Sequence, residues 1–455
     1  METALEKTYS VGTLHYTLGG VLAVCGWMLW GGFCYSMLAY VLVPTLLPLT
    51  LDSFHASGAL IGLVVGSIPA AMNFVMNPIL STTSDRTRTK WGRRIPYLAF
   101  ATPFVALFLI LLGWTPEAAA LLHATVLPGV SPATLGIVLV CVFAVFFQFF
   151  NLIIGSIYYY IFADVIPHRF IGRFMAFLNL SFTAAGFVFN YFLMEYAREY
   201  SSWIYTGIGI LYAVSFALMC FFVKEGEYPP PPQYQAATVP VAKRLVNWVA
   251  IYFRQCYRSP FYSMLFLGTA MTQVSTVCRS VFNLLFATRE LHLTEAQFGR
   301  IMGIGSLVSL GVILLMGYLM DKLHPLRVFL WSGVLVILIN VWGYFHVTDY
   351  ATFFAVGIVI VIVYSVQTLS SVPMYIALFP PEKYGQFSSA NAMVNSVLVI
   401  VANWGGGLAI DRFGYRFIFV WDFIFTVIAT AVLIYVYVKW KQLGGMNHYK
   451  APEVE

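Results

Sequence analysis

Two formal charges sit inside apolar runs, Arg279 in TAMTQVSTVCRSVFN and Asp422 in FVWDFIF. A charge at membrane depth is expensive, and it persists where it is paired or used. The chemistry open to these two is narrow: a carboxylate can take up and release a proton, and a guanidinium can hold an anion or that carboxylate. Thr272, Gln273, Thr276, Arg279 and Asn283 recur at spacings near three and four, so much of this polarity shares one helix face. Another apolar run carries Gln148, Asn151, Ser156 and the triplet Tyr158, Tyr159, Tyr160; a further one carries Tyr364, Gln367, Thr368, Ser371 and Tyr375. Gln148 and Asn151 are three apart, as are Tyr364 and Gln367, so each pair can share a face. Amides, hydroxyls and aromatic rings suit a ligand with many hydroxyls and an apolar ring face, as a sugar has. Tyr35, with Trp27 and Trp30, offers stacking on the same terms. Each group also has a plainer reading. Arg279 pairs with Asp422 or reaches the outer interface, the amides hydrogen-bond between helices, and single aromatics in a chain that is 17% aromatic pack or face lipid.

Composition says what must hold these groups. The chain has 455 residues, 60% hydrophobic and 10% charged, with mean hydropathy +0.81, against about 25% charge in a soluble domain. Apolar runs of about 20 residues, enough to cross roughly 30 Å of hydrocarbon, recur along its length. Twelve spans are expected, near 19–46, 57–81, 95–114, 133–162, 174–194, 202–223, 262–288, 297–320, 327–346, 351–378, 386–409 and 417–438. The chain then divides into a six-helix bundle at 1–223, a linker at 224–261 and a second six-helix bundle with a tail at 262–455. The linker contains YPPPPQYQ, which cannot be helix. The six Cys show no paired spacing, none of the eight His is central to a span, and HExxH, GxSxG and paired intramembrane aspartates are missing. Neither an enzyme, a metal site, a cofactor nor a His proton relay is expected. The opening residues lack a basic region, short apolar core and small-residue cleavage site, so the first span is expected to direct insertion.

The stretch 73–97 crowds Asp85, Arg86, Arg88, Lys90, Arg93 and Arg94 between two apolar segments. That is a short cytoplasmic loop under the positive-inside rule. Placing both termini in the cytoplasm puts most of the 25 Lys and Arg inside. The net charge of +6 then speaks for orientation and anionic headgroups in a plasma membrane, not for nucleic acid. Asp85 is expected to pair with arginines at the bundle base and cap a helix end, which would make Asp85, Arg86, Arg93 and Arg94 gating elements as well as topology signals. The halves repeat. Asp85 and its basic run have a counterpart in Asp321, Lys322 and Arg327, and the loops with Pro167/Gly172/Phe174 and Pro380/Gly385/Phe387 share their spacing. Six plus six spans with matching loops point to the major facilitator layout, with a substrate site at the midplane between bundles.

The string SDRTRTKWGRRIPYL at 84–98, preceded by NPILS, resembles the loop signature of the glycoside-pentoside-hexuronide:cation symporter family, nearest to its sucrose and maltose proton-symporter branch. Asp164, Pro167, Gly172 and Arg173 are similar to that branch's fourth-to-fifth loop. The resemblance spans all twelve helices and implies import of a sugar or glycoside, most simply a disaccharide, coupled to an ion gradient by a protein that works as a monomer. In the sodium-coupled members two aspartates on the second helix form the cation site. The matching positions here are Asn73 and Asn77, and a third acidic position falls on Asn151. An amide offers an oxygen without charge, which disfavours sodium and leaves the proton as the expected ion, with Asp164 and Asp422 as coupling candidates. A passive facilitator is the alternative, since no carboxylate lies deep in the first bundle; an exporter of another organic solute is a third reading.

Overall fold

The computed structural model describes residues 9–228, 254–380 and 383–452. Most of the expected linker, 229–253, lies outside the described residues. A short antiparallel hairpin, β1 (Tyr9–Val11) and β2 (Leu14–Tyr16), precedes the first helix. The helices are α1 (Leu18–Ser53), α2 (58–86), α3 (Ile95–Gly113), a short α4 (Thr115–Thr125), α5 (Pro132–Val165), α6 (168–196), α7 (Ser201–Phe222), α8 (260–290), α9 (Glu295–Leu323), α10 (Pro325–His346), α11 (Tyr350–Leu378), α12 (Tyr384–Phe413) and α13 (Phe417–Gln442). Setting α4 aside, these are the twelve helices of two six-helix repeats. Ten are long and apolar enough to cross a membrane; α8 and α9 are not in that number among the described residues. Thr269, Thr272, Gln273, Ser275, Thr276 and Arg279 lower the apolarity of α8.

Local chemistry starts these helices where a backbone donor would otherwise lack a partner in lipid. Thr17, Ser57 and Ser131 cap α1, α2 and α5, accepting from the backbone N–H of Gly20 (3.2 Å), Leu60 (3.3 Å) and Thr134 (3.2 Å). Asp349 and Thr352 form a reciprocal capping box at the start of α11. Pro sits in the first turn of α3, α5 and α8, where its missing N–H costs nothing.

The chain separates into two compact units whose membership differs from a simple cut at the linker. The first holds residues up to Ala56, Ala71–Pro232 and Phe298–Gly303; the second holds Ser57–Ala70, Gln233–Gln297 and Ile304 onward. In the first unit α3 packs on α5 and α7, and α1 on α6 and α7. In the second, α8 packs on α12 and α13, and α10 on α11 and α13. The opening turns of α2 count with the second unit because they pack on α12. Gly58, Gly62 and Gly66 lie four apart on one face of α2, and a side chain at Gly62 would overlap the Asn403 carbonyl. Across from them, a side chain at Gly407 would overlap the Gly58 carbonyl. Small residues at this spacing let two helix backbones approach closely, a common device in membranes. Asp411 completes the contact, accepting from the backbone N–H of Gly58 (2.6 Å) and Ala59 (2.9 Å).

Gly62→Ala should therefore cost about 1–3 kcal/mol by overpacking. The same change at Gly207, where nothing lies within 4 Å, should be neutral or gain up to about 1 kcal/mol from helix propensity. Thermal unfolding of both variants in detergent checks the contrast, and equal melting points would contradict it.

Candidate functional site

Asp422 is fully buried in the second unit and draws four donors from four helices. Asn340 Nδ2 on α10 donates to Oδ2 at 2.9 Å, Arg279 Nε on α8 at 3.4 Å, and Tyr364 on α11 donates its hydroxyl to the same oxygen. Thr426, one turn on, donates to Oδ1 at 3.1 Å. Arg279 Nη2 in turn donates to Asn340 Oδ1 at 2.6 Å, and its guanidinium lies 4.8 Å from the centroid of Phe419. Arg279 thus meets Asp422 instead of reaching an interface. Hydrogen bonds to both carboxylate oxygens and to two of the guanidinium nitrogens help an ion pair exist in so apolar a place.

Tyr364 also lines a polar pocket of about 200 Å³ in the same unit, with Thr272, Gln273, Thr276, Gln367 and Tyr375. One side chain therefore touches both the cavity and the buried carboxylate. Gln273 is exposed to the pocket, while Gln367 is 6% exposed. Asn283 sits half-buried one turn beyond Arg279, its Oδ1 without a hydrogen-bond partner.

The first unit gathers the amides differently. Asn77 donates to Asn73 on the same helix, and Ser156 on α5 donates to Asn77 Oδ1 at 2.5 Å. Asn151 is buried and its Oδ1 has no hydrogen-bond partner; Gln148 is half-buried. Tyr158 and Tyr35, expected to face a ligand, are buried in a ring cluster of the first unit. Tyr158 is fully buried, gives its hydroxyl to the Met28 carbonyl at 2.5 Å, and packs among Tyr35, Phe162 and Phe216. Tyr35 is 4% exposed in the same cluster. The tyrosine triplet is legible in sequence, but which ring faces inward is decided by the Gly32 notch, where a side chain would meet Tyr158 and Leu178.

The basic end of the first unit is a braced network. Arg93 grips Asp164 through Nε at 3.0 Å and through Nη2, a two-pronged pairing. Arg94 reaches Asp164 (3.4 Å), Asp85 (2.5 Å) and Ser84. Asp164 is 8% exposed and Asp85 57%. The Arg93 guanidinium has its pKa raised chiefly by its hydrogen bond to Asp164. These pairs join α2, α3 and α5 inside one unit, so the structure makes them a brace of that unit. Arg86 and Arg173 are exposed; the Asp321 side chain lies outside the described residues.

Sequence reading missed Glu225. Just past α7, its carboxylate accepts from the backbone N–H of Arg93 (3.0 Å), Arg94 (2.7 Å) and Ile95 (2.7 Å), capping α3 from 130 residues away. Tyr228 donates its hydroxyl to the same group at 2.9 Å while Arg93 stacks on its ring at 4.2 Å. Burial and the neighbouring Glu225 hold the Tyr228 hydroxyl protonated well above its usual range. Gly92, at φ +109°, admits this approach, since any side chain there would strike Glu225. The only sequence hint was an acidic residue at the end of an apolar run. Glu225→Ala removes the acceptor of three helix-terminal donors. It should cost about 2–4 kcal/mol, and Glu225→Gln should recover part of it; chemical denaturation in detergent reads both.

Comparison with known proteins agrees with this architecture. The model of the Major Facilitator Superfamily matches residues 28–287 and 265–443. The chain belongs to that superfamily, and is a multi-pass membrane transporter of its type. It is 29% identical over 194 residues to the human "Membrane-associated transporter protein", a match covering 42% of this chain and 33% of that one, so it spans a third of that relative's length. Among solved structures it is similar to a bacterial homolog of the human lysosomal transporter Spinster, with TM-score 0.67 and 13% identity, covering 96% of this chain and 98% of that one. It is similar to a bacterial homologue of the iron transporter ferroportin (TM-score 0.67, 15% identity, 91% and 98% covered). The nucleoside transporter NupG matches at TM-score 0.62 and 15% identity, with 93% and 100% covered. At such identities these likenesses speak for the fold.

Proposed function

We propose that this transporter is a glycoside-pentoside-hexuronide:cation symporter relative that imports a sugar or glycoside, a disaccharide most simply, with protons. The observation that carries the reading is Tyr364, which lines a pocket of hydroxyls, amides and rings and donates to the buried carboxylate of Asp422. Protonating Asp422 would free Tyr364 and Arg279 to meet ligand hydroxyls, so proton and sugar would each favour the other's binding, which is the positive coupling that symport requires. At about 200 Å³ the pocket is below the roughly 300–1,000 Å³ of ligand sites, which suits one ring of a longer substrate. Gln273, Gln367 and Tyr364 would contact it, with Asn283, Gln148 and Asn151 as further polar contacts. Asp85, Arg86, Arg93, Arg94, Asp164 and Arg173 act at the basic end, and Asp321 at its repeat counterpart. The weight of basic residues there favours that end, with both termini, on the cytoplasmic side of a bacterial inner membrane. A monomer suffices for this mechanism.

A passive sugar facilitator is the second reading. Asn73 and Asn77, at two of the positions where the sodium-coupled family members carry acids, hydrogen-bond to each other and to Ser156, so this cluster offers no charge to a cation. The test is uptake of labelled disaccharides into proteoliposomes with an imposed pH gradient, a sodium gradient, or neither. Accumulation above equilibrium with the pH gradient alone supports proton symport. Equilibration without accumulation supports the facilitator, sodium-driven accumulation overturns the coupling assignment, and no sugar uptake overturns the substrate.

A further inference from the structure

A groove of about 830 Å³ opens between α3 and α7 at the basic end of the first unit. Its walls are mostly apolar, with Ile95, Ala99 and Pro103 on α3 and Ala213, Ala217 and Phe221 on α7. Its mouth is rimmed by Lys90, Trp91 and Lys224. Trp91 is 67% exposed, and Phe221 on the α7 wall is 73% exposed, so the groove faces outward from its unit. Both lysines are exposed, and neither makes an ion pair or hydrogen bond among the described residues. One acid, Glu225, lines the groove, but its oxygens already accept three backbone N–H groups and the Tyr228 hydroxyl. The free charge at the mouth is therefore positive, above a mostly apolar groove of about 830 Å³.

We propose that this groove is a binding site for one anionic membrane phospholipid, its acyl chain between α3 and α7 and its phosphate at Lys90 and Lys224. Charge complementarity selects the headgroup, and the apolar slot selects a lipid over free phosphate. An exposed Trp at the rim fits the depth of the headgroup region. Basic residues beside a membrane surface favour anionic lipid by roughly fivefold each, so the pair should favour it by on the order of 30-fold. The site does not depend on the transported substrate, and its readout does not use transport.

The test is native mass spectrometry of the delipidated full-length protein, titrated separately with phosphatidylglycerol and phosphatidylcholine. Wild type should bind the first phosphatidylglycerol on the order of 30-fold more tightly than phosphatidylcholine. The Lys90→Gln/Lys224→Gln variant should lose that preference and keep its phosphatidylcholine affinity, and each single variant should lose roughly fivefold. Ala217→Trp, which fills the slot, should weaken both lipids. Inorganic phosphate should not compete. The proposal is overturned if wild type shows no preference, if the lysine variants retain it, or if Ala217→Trp leaves the affinities for both lipids unchanged, which would mean a headgroup patch without a seated chain. Should the double variant fail to stay monodisperse, the single variants decide by the same criterion.

Discussion

Asp422→Asn should destabilise the protein by on the order of 3–5 kcal/mol and abolish proton-driven accumulation. The stability cost arises because Asp422 is fully buried and its side-chain partner Arg279 is 6% exposed. The asparagine keeps one oxygen, for either Asn340 or Thr426, which donate to different oxygens of Asp422, and it leaves the guanidinium charged in an apolar interior, the situation in which breaking a buried pair is most costly. Arg279→Gln should cost a similar amount by stranding the carboxylate, although that variant has an escape: the carboxyl can take up a proton and become neutral. The double variant Arg279→Gln/Asp422→Asn exchanges the pair for neutral amides of similar shape and should recover most of the loss, since a buried pair contributes little net stability over neutral replacements. Unfolding in detergent measures all three. Flux separates structure from coupling: the recovered double variant should equilibrate sugar without concentrating it. If it concentrates sugar under a pH gradient as wild type does, Asp422 does not carry the proton.

At the basic end, Asp164→Asn should cost on the order of 3 kcal/mol, whereas Asp85→Asn should cost less than about 1 kcal/mol. Both carboxylates sit among the same arginines, so the difference comes from their surroundings. Asp164 is 8% exposed and takes both prongs of Arg93 together with Arg94 Nε. Removing its charge leaves two adjacent cations, one of them nearly buried, to repel each other. Asp85 is 57% exposed, and water and salt screen its pairs with Arg93 and Arg94. Raising ionic strength should therefore narrow the gap between wild type and Asp85→Asn and leave that of Asp164→Asn nearly unchanged. Equal costs at the two positions would refute the assignment of Asp164 as the keystone of the brace. A gate carried by this cluster would further require Asp85→Asn to alter transport rates without altering stability.

How much of the site could be read in advance follows a pattern. Arg279 and Asp422 were conspicuous because each is a lone charge in an apolar run. The polar face at Thr272, Gln273 and Thr276 was conspicuous because helical period is local. Their pairing was one of two plain readings, and nothing local chose between them: the two are 143 residues apart, and Asn340 and Tyr364, which join from two further helices, were not legible as partners. Glu225 was passed over because a helix cap is usually sought in the residues just before the helix, and this one comes from across the bundle. The burial of Tyr158 and Tyr35 was not legible, because in a mostly apolar helix hydropathy does not tell a packed ring from a lipid-facing or ligand-facing one.

The sequence by itself determined the class of protein, the order of the twelve helices with some ends off by as much as seven residues, and the basic loop between the second and third. Each of these rests on chain-local properties: length of apolar run, caps and prolines, and charge between spans. Tertiary structure alone decided which helices share the two units. It hands the first turns of α2, through Gly58, Gly62 and Gly66, to α12, and Phe298–Gly303 to the first unit. It also decided which polar groups meet, and that Tyr364 stands between a cavity and a buried carboxylate. Close approach of backbones and satisfaction of buried charge depend on distances across the fold, and no window along the chain contains them.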